Sequence, residues 1–139
     1  MAALGRGHIL GVTSGSGWRP ADVGAYGCAK RAVAALTWQL ARHAPDGVVV
    51  NAISPIAATR MVAAALGRAQ PGGGTATGGL SLASMPKPED LGPLGAHLVS
   101  PAFHACRGRV LFADGSEVAV IDEPRLLEVV RSDEVPSVV

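Results

Sequence analysis

Ser14, Tyr26 and Lys30 are the residues of this 139-residue chain whose side chains and spacing point to proton transfer. Tyr26 and Lys30 lie four apart, and at about 3.6 residues per helical turn such residues share a face and meet one turn apart. A phenol exchanges its proton more readily near neutral pH beside a cation, because the cation favours the phenolate. Lys30 supplies that cation. Ser14 precedes Tyr26 by twelve positions, and its hydroxyl can hold a carbonyl or alcohol oxygen while Tyr26 gives or takes the proton. The chemistry this trio suits is the interconversion of alcohols and carbonyls. Thr13 and Ser16 are alternative hydroxyls in the same stretch. A surface lysine beside a half-buried tyrosine has the same spacing, so the pair gains its meaning from what surrounds it.

The elements that must position these groups follow from the apolar pattern. His8-Ile-Leu-Gly-Val-Thr13 is a short apolar run ended by Gly15 and Gly17, as in a strand buried on both faces, and Ser14 then falls at its carboxyl end. From Gly24 to His43 the spacing turns helical, with an apolar stripe of Ala25, Ala29, Ala32, Val33, Leu36 and Leu40 expected to pack. Trp18 is expected near the site, against a substrate pocket. Pro45-Asp-Gly47 ends the helix, and Val48 to Ser54 reads as a second strand. Pro55 follows it directly. Thr59 can cap a short helix, Arg60 to Leu66. Pro88 to Ser100 predicts another helix, with Glu89 and Asp90 favourable to its first turn and Leu91, Leu94, Leu98 and Val99 toward the sheet. Gly108 to Ala113 is the third strand, and Asp114-Gly115 turns out of it. A short amphipathic helix is expected over 122–132. Strand and helix alternating at these lengths define an α/β fold with a parallel sheet.

Composition narrows the function classes. Hydrophobic residues make up 48% of the chain and the mean hydropathy is +0.31, which argues for a filled core rather than disorder. A net charge of +1 with no basic cluster argues against nucleic acid or an anionic membrane as partners. No apolar run approaches the roughly 20 residues of a membrane span, and no secretory signal pattern opens the chain, so a cytoplasmic protein is expected. Cys28 and Cys106 lack metal-ligand spacing and read as free thiols, the four histidines are scattered, and no metal site is expected. A serine hydrolase around Gly15-Ser16-Gly17 lacks the spaced Gly-x-Ser-x-Gly elbow.

Beyond the trio, Gly7 to Ser14, Arg19-Pro20, Tyr26-Gly-Cys-Ala-Lys30, Asn51-Ala-Ile-Ser-Pro55, Thr59-Arg-Met61, Pro88-Glu-Asp90 and Gly108 to Gly115 recur in a familiar order and spacing. The chain resembles the carboxyl-terminal half of the short-chain dehydrogenase/reductase family. That resemblance implies a partial Rossmann-like, doubly wound parallel sheet of about three strands with flanking helices, lacking the amino-terminal dinucleotide-binding βαβ units. It implies NAD or NADP as cofactor, a small-molecule alcohol or carbonyl substrate, and hydride transfer with Ser14, Tyr26 and Lys30 catalytic. Tyr26, Lys30, Pro55, Ile56 and Thr59 would contact the cofactor. Ile56 stands where the family has glycine, Ser116 stands where it has a second glycine, and the Ser14 to Tyr26 interval is one residue shorter than usual.

The resemblance also implies that 1–139 forms a single partial domain, that 67–87 is a flexible loop in the position of a substrate lid, and that 116–139 is a tail. Glycine occurs six times between Gly67 and Pro86. The helix carrying Tyr26 packs against its symmetry mate in the family, so a homo-oligomer or association with another chain of the family is expected. The family's phosphate-binding turn and its proton-relaying asparagine would lie before Met1; Gly72-Gly73-Gly74 follows no predicted strand and is not that turn. A catalytically incompetent fragment acting as an interaction subunit is therefore the alternative to an enzyme.

Overall fold

The computed structural model describes residues 1–19, 23–68, 85–104, 106–115 and 117–124, with 65–68 as backbone alone. A four-stranded sheet in the order β1-β2-β3-β4 is its centre. β1 (Gly7–Val12), β2 (Val48–Pro55) and β3 (Arg109–Ala113) run parallel, with Val12 beside Ile53 and Pro55 beside Ala113. β4 (Val118–Ile121) returns antiparallel along β3. Three helices flank the sheet: α1 (Gly24–His43), α2 (Arg60–Arg68) and α3 (Pro88–Leu98). This is the open, Rossmann-like α/β arrangement expected, with one strand more than expected.

β2 has neighbours on both sides, and its nearly continuous apolar run follows from that. Residues 48 to 52 are all buried. Successive side chains alternate between faces, and on one face Val48 and Val50 meet Ala41 while Ala52 and Val110 meet Ala34, with Trp38 and Ile121 packed alongside. α1 thus lies across the strands through small residues. Gly11 lets the helix approach: a Cβ there would lie only 3.2 Å from Val33 Cγ1.

The face that this close approach buries is not the expected stripe, of which Val33 alone is half-buried against β1. The buried face of α1 is Ala34, Thr37 and Ala41, while Leu36 and Leu40 are 55% and 40% exposed and Ala25, Ala29 and Ala32 are exposed too. The larger residues sit where nothing among the described residues crowds them. Thr37 satisfies its buried hydroxyl by donating to the Val33 carbonyl one turn back. At α3, Leu98 is buried but Val99 is 44% exposed, because the helix ends at Leu98.

α2 extends to Arg68, two residues into the expected loop; the remainder of the lid segment, 69–84, lies outside the described residues, as does the expected tail helix beyond Pro124. β4 replaces the start of the expected tail. Asp114 and Glu117 close its turn, with the Glu117 amide donating to Asp114 Oδ1 at 2.8 Å. An aspartate and glycine followed by Val118-Ala-Val-Ile121 is a hairpin signal, and it was the one sign of this strand in the sequence.

Candidate active site

The parallel register carries Ser14, two residues past β1, and Pro55, the last residue of β2, to the carboxyl end of the sheet. In open α/β sheets ligands bind at this end. Ser14 is in an extended conformation and opens a short 3-10 turn, Gly15–Gly17; its Oγ accepts the Ser16 amide at 3.3 Å. Of the alternative hydroxyls, Thr13 is 2% exposed and donates to the Lys30 carbonyl at 2.6 Å, so it is committed to the helix.

Tyr26 lies in the first turn of α1 and is 49% exposed. Helical spacing brings Lys30 to it as expected: the ammonium stands 5.6 Å from the Tyr26 ring centroid, within cation–π range. Lys30 Nζ also donates to the Val12 carbonyl at 3.0 Å, which points it at the end of β1. An ammonium has three donors, so this bond leaves others for a ligand. Tyr26 and Lys30 therefore meet, and Ser14 sits on the strand end that Lys30 reaches. Among the described residues no hydrogen bond joins Ser14 to Tyr26.

Pro55 is the last residue of β2, and the Ile56 amide donates to the Ala113 carbonyl at 2.8 Å. That N–H is thereby spent within the sheet. Thr59 Oγ1 accepts the Val62 amide at 3.2 Å, as an N-cap does. Among the described residues none accepts the Thr59 hydroxyl proton.

Three contacts fixing the site loop were not anticipated from the sequence. Gly17 is pressed on α1 so closely that an added Cβ would lie 2.8 Å from the Lys30 carbonyl carbon. Arg31 Nε donates to the Gly17 carbonyl at 2.8 Å. Trp18 Nε1 donates to Ser54 Oγ at 3.0 Å. The glycine was the readable signal; the partners of Arg31 and Trp18 are distant in sequence and left none. Trp18 also lines a cavity of about 400 Å³ with Arg31, Trp38, Ile121 and Pro124, and that lining does not include Ser14, Tyr26 or Lys30. Among the described residues no cluster of three or more His, Cys, Asp or Glu could hold a metal, and no helix is long and apolar enough to cross a membrane.

A parallel α/β unit with polar groups gathered at its strand ends is the Rossmann class of fold. The family model described as Enoyl-(Acyl carrier protein) reductase matches residues 1–115. The chain belongs to the short-chain dehydrogenase/reductase family. Among solved structures it is similar to a short chain dehydrogenase from Mycobacterium avium, at 25% identity and a TM-score of 0.64 over 91% of this chain and 38% of that one. It is 30% identical to a protein assigned as an NAD(P) dependent gluconate 5-dehydrogenase from Beutenbergia cavernae, solved with NADP at low occupancy; the TM-score is 0.66 over 84% of this chain and 47% of that one. A short-chain type dehydrogenase/reductase from Mycobacterium ulcerans matches at 27% identity and a TM-score of 0.64, covering 83% and 42% respectively. The chain thus spans less than half the length of these structures. No curated protein matches its sequence.

Proposed function

We propose that the chain is the catalytic half of an NAD(P)-dependent oxidoreductase that interconverts an alcohol and a carbonyl. The observation that carries this reading is the Lys30 ammonium held 5.6 Å from the Tyr26 ring and bonded to the end of β1, the strand end past which Ser14 stands. Ser14 would hold the substrate oxygen by a hydrogen bond. Tyr26, exposed to a ligand, would give that oxygen a proton in reduction and take it back in oxidation. The nicotinamide, when bound, supplies or accepts the hydride at the carbonyl carbon.

The residues at the strand ends fit such a group in their donor chemistry. Lys30 has N–H donors beyond its bond to Val12, suited to ribose hydroxyls, and no described residue accepts the Thr59 hydroxyl proton. Pro55 and Ile56 would lie along the ring, with the Ile56 side chain taking the place of backbone contact. Membership in the family and the NADP of the Beutenbergia cavernae relative support this assignment.

Titrating the purified chain with NADH and NADPH, followed by nicotinamide fluorescence, tests the reading. Saturable binding that survives Tyr26→Phe, with turnover lost in that variant, is expected. Absence of binding would favour the second reading, a non-catalytic interaction subunit. The observation behind that second reading is the exposed apolar stripe of α1, with Leu36 and Leu40 facing away from the sheet; the same surface would serve self-association of an enzyme, and size-exclusion chromatography of the same sample reads it.

A further inference from the structure

We propose that Trp18 is a positioning residue, which holds the Ser14 loop in register with the Pro55 to Thr59 side of the site through its bond to Ser54. The inference rests on the oxidoreductase reading of that site.

The site loop is fastened in two directions. Toward α1 it is held by Thr13 on the Lys30 carbonyl, by Gly17 against the Lys30 and Arg31 backbone, and by Arg31 on the Gly17 carbonyl. These contacts set Ser14 against the helix that carries Tyr26 and Lys30. They say nothing of where the loop stands relative to the ends of β2 and β3.

In the second direction the Thr13 amide ties the start of the loop to β2 by donating to the Ile53 carbonyl at 2.8 Å, and Trp18 ties its far end. Its indole N–H donates to Ser54 Oγ at 3.0 Å, and Ser54, wholly buried, is the residue before Pro55. The ring packs edge-on to Phe112 of β3, with centroids 6.2 Å apart and planes at 79°. The Arg19 guanidinium lies 4.6 Å from the ring centroid. One side chain of the loop therefore touches both β2 and β3. Reaction geometry depends on the distance between an oxygen held by Ser14 and a hydride carrier held by Pro55 to Thr59, and that distance spans the gap that the indole bridges. A misplacement of about 1 Å can lower a rate by up to roughly a hundredfold.

A double-mutant cycle in the full chain tests this, with Trp18→Phe, which keeps a ring against Phe112 but removes the N–H, Ser54→Ala, which removes the acceptor, and the two combined. The first readout is nuclear magnetic resonance. Ser54→Ala is expected to shift the Trp18 indole N–H and, with it, the amides of Ser14 to Gly17; loop amides that stay in place while the indole shifts would overturn the proposal. The second is reduction of 2,3-butanedione by NADPH or NADH. Each single variant is expected to lower kcat about tenfold with KM for the diketone within about twofold, and the double variant to be no worse than either. Additive losses, or a change confined to KM, would overturn it. If the unaltered chain reduces no diketone under conditions where it binds cofactor, the choice of substrate fails and the loop amides alone decide whether Trp18 positions Ser14. If it binds no cofactor either, the oxidoreductase reading falls, and with it this inference.

Discussion

The hydroxyl of Thr13 donates to the backbone carbonyl of Lys30 at 2.6 Å, joining the end of β1 to the second turn of α1 across 17 residues of sequence. The bond is partly buried, and it fixes the helix at the residue whose ammonium faces Tyr26. Thr13→Val keeps the shape and removes the bond. We expect a loss of about 0.5–1.5 kcal/mol in urea unfolding, together with movement of the Lys30 amide resonance.

Gly17→Ala tests the same junction from the other side. Its Cβ would lie 2.8 Å from the Lys30 carbonyl carbon and 2.9 Å from the Arg31 nitrogen, and both are backbone atoms that cannot swing aside. The loop must lift from the helix. Overpacking of this kind costs about 1–3 kcal/mol, and thermal unfolding should show it. Gly15→Ala, which meets only the mobile end of the Arg19 side chain at 3.1 Å, should cost much less.

At the far end of α1, Arg107 takes the place of a cap. Its Nε donates to the Ala41 carbonyl at 2.8 Å and its terminal nitrogens reach the carbonyls of Ala44 and Pro45. Carbonyls in the last turn have no helical partner, and a cation there also opposes the helix dipole. Arg107→Ala should cost about 1.5–3 kcal/mol. Amide hydrogen exchange of Arg42 to Ala44 should quicken before that of the helix centre.

Asn51, 1% exposed, donates to the Cys106 carbonyl at 3.1 Å and accepts the Arg109 amide at 2.9 Å. It stitches the start of β3 to β2. Asn51→Leu would leave two partly buried backbone groups without this partner, at a cost of up to about 1–3 kcal/mol each. We expect a larger loss of stability than in any variant above, measured by the urea midpoint.

Much of this architecture was legible because it is written in local periodicity. The twenty-residue span of α1 and the meeting of Tyr26 with Lys30 follow from helical spacing alone. The face of α1 that packs was not legible, since the stripe of larger apolar residues is the natural choice until the nearness of Gly11 and Ala52 is known. β4 was missed because four residues on an edge bury little. Trp18 and Ser54, Arg31 and Gly17, and Arg107 and Ala41 are pairings across a closed fold, and side-chain reach over such separations leaves no periodic trace.

The fastening of the loop to α1 bears on the shortened interval between Ser14 and Tyr26. Thr13 and Gly17 on one side, and Lys30 and Arg31 on the other, fix the relation of strand end to helix without using residues 20–22. Strand end and helix are then two posts moored to each other directly. The relation of hydroxyl to phenol and ammonium rests on that mooring, so an interval counted along the chain is a poor gauge of it.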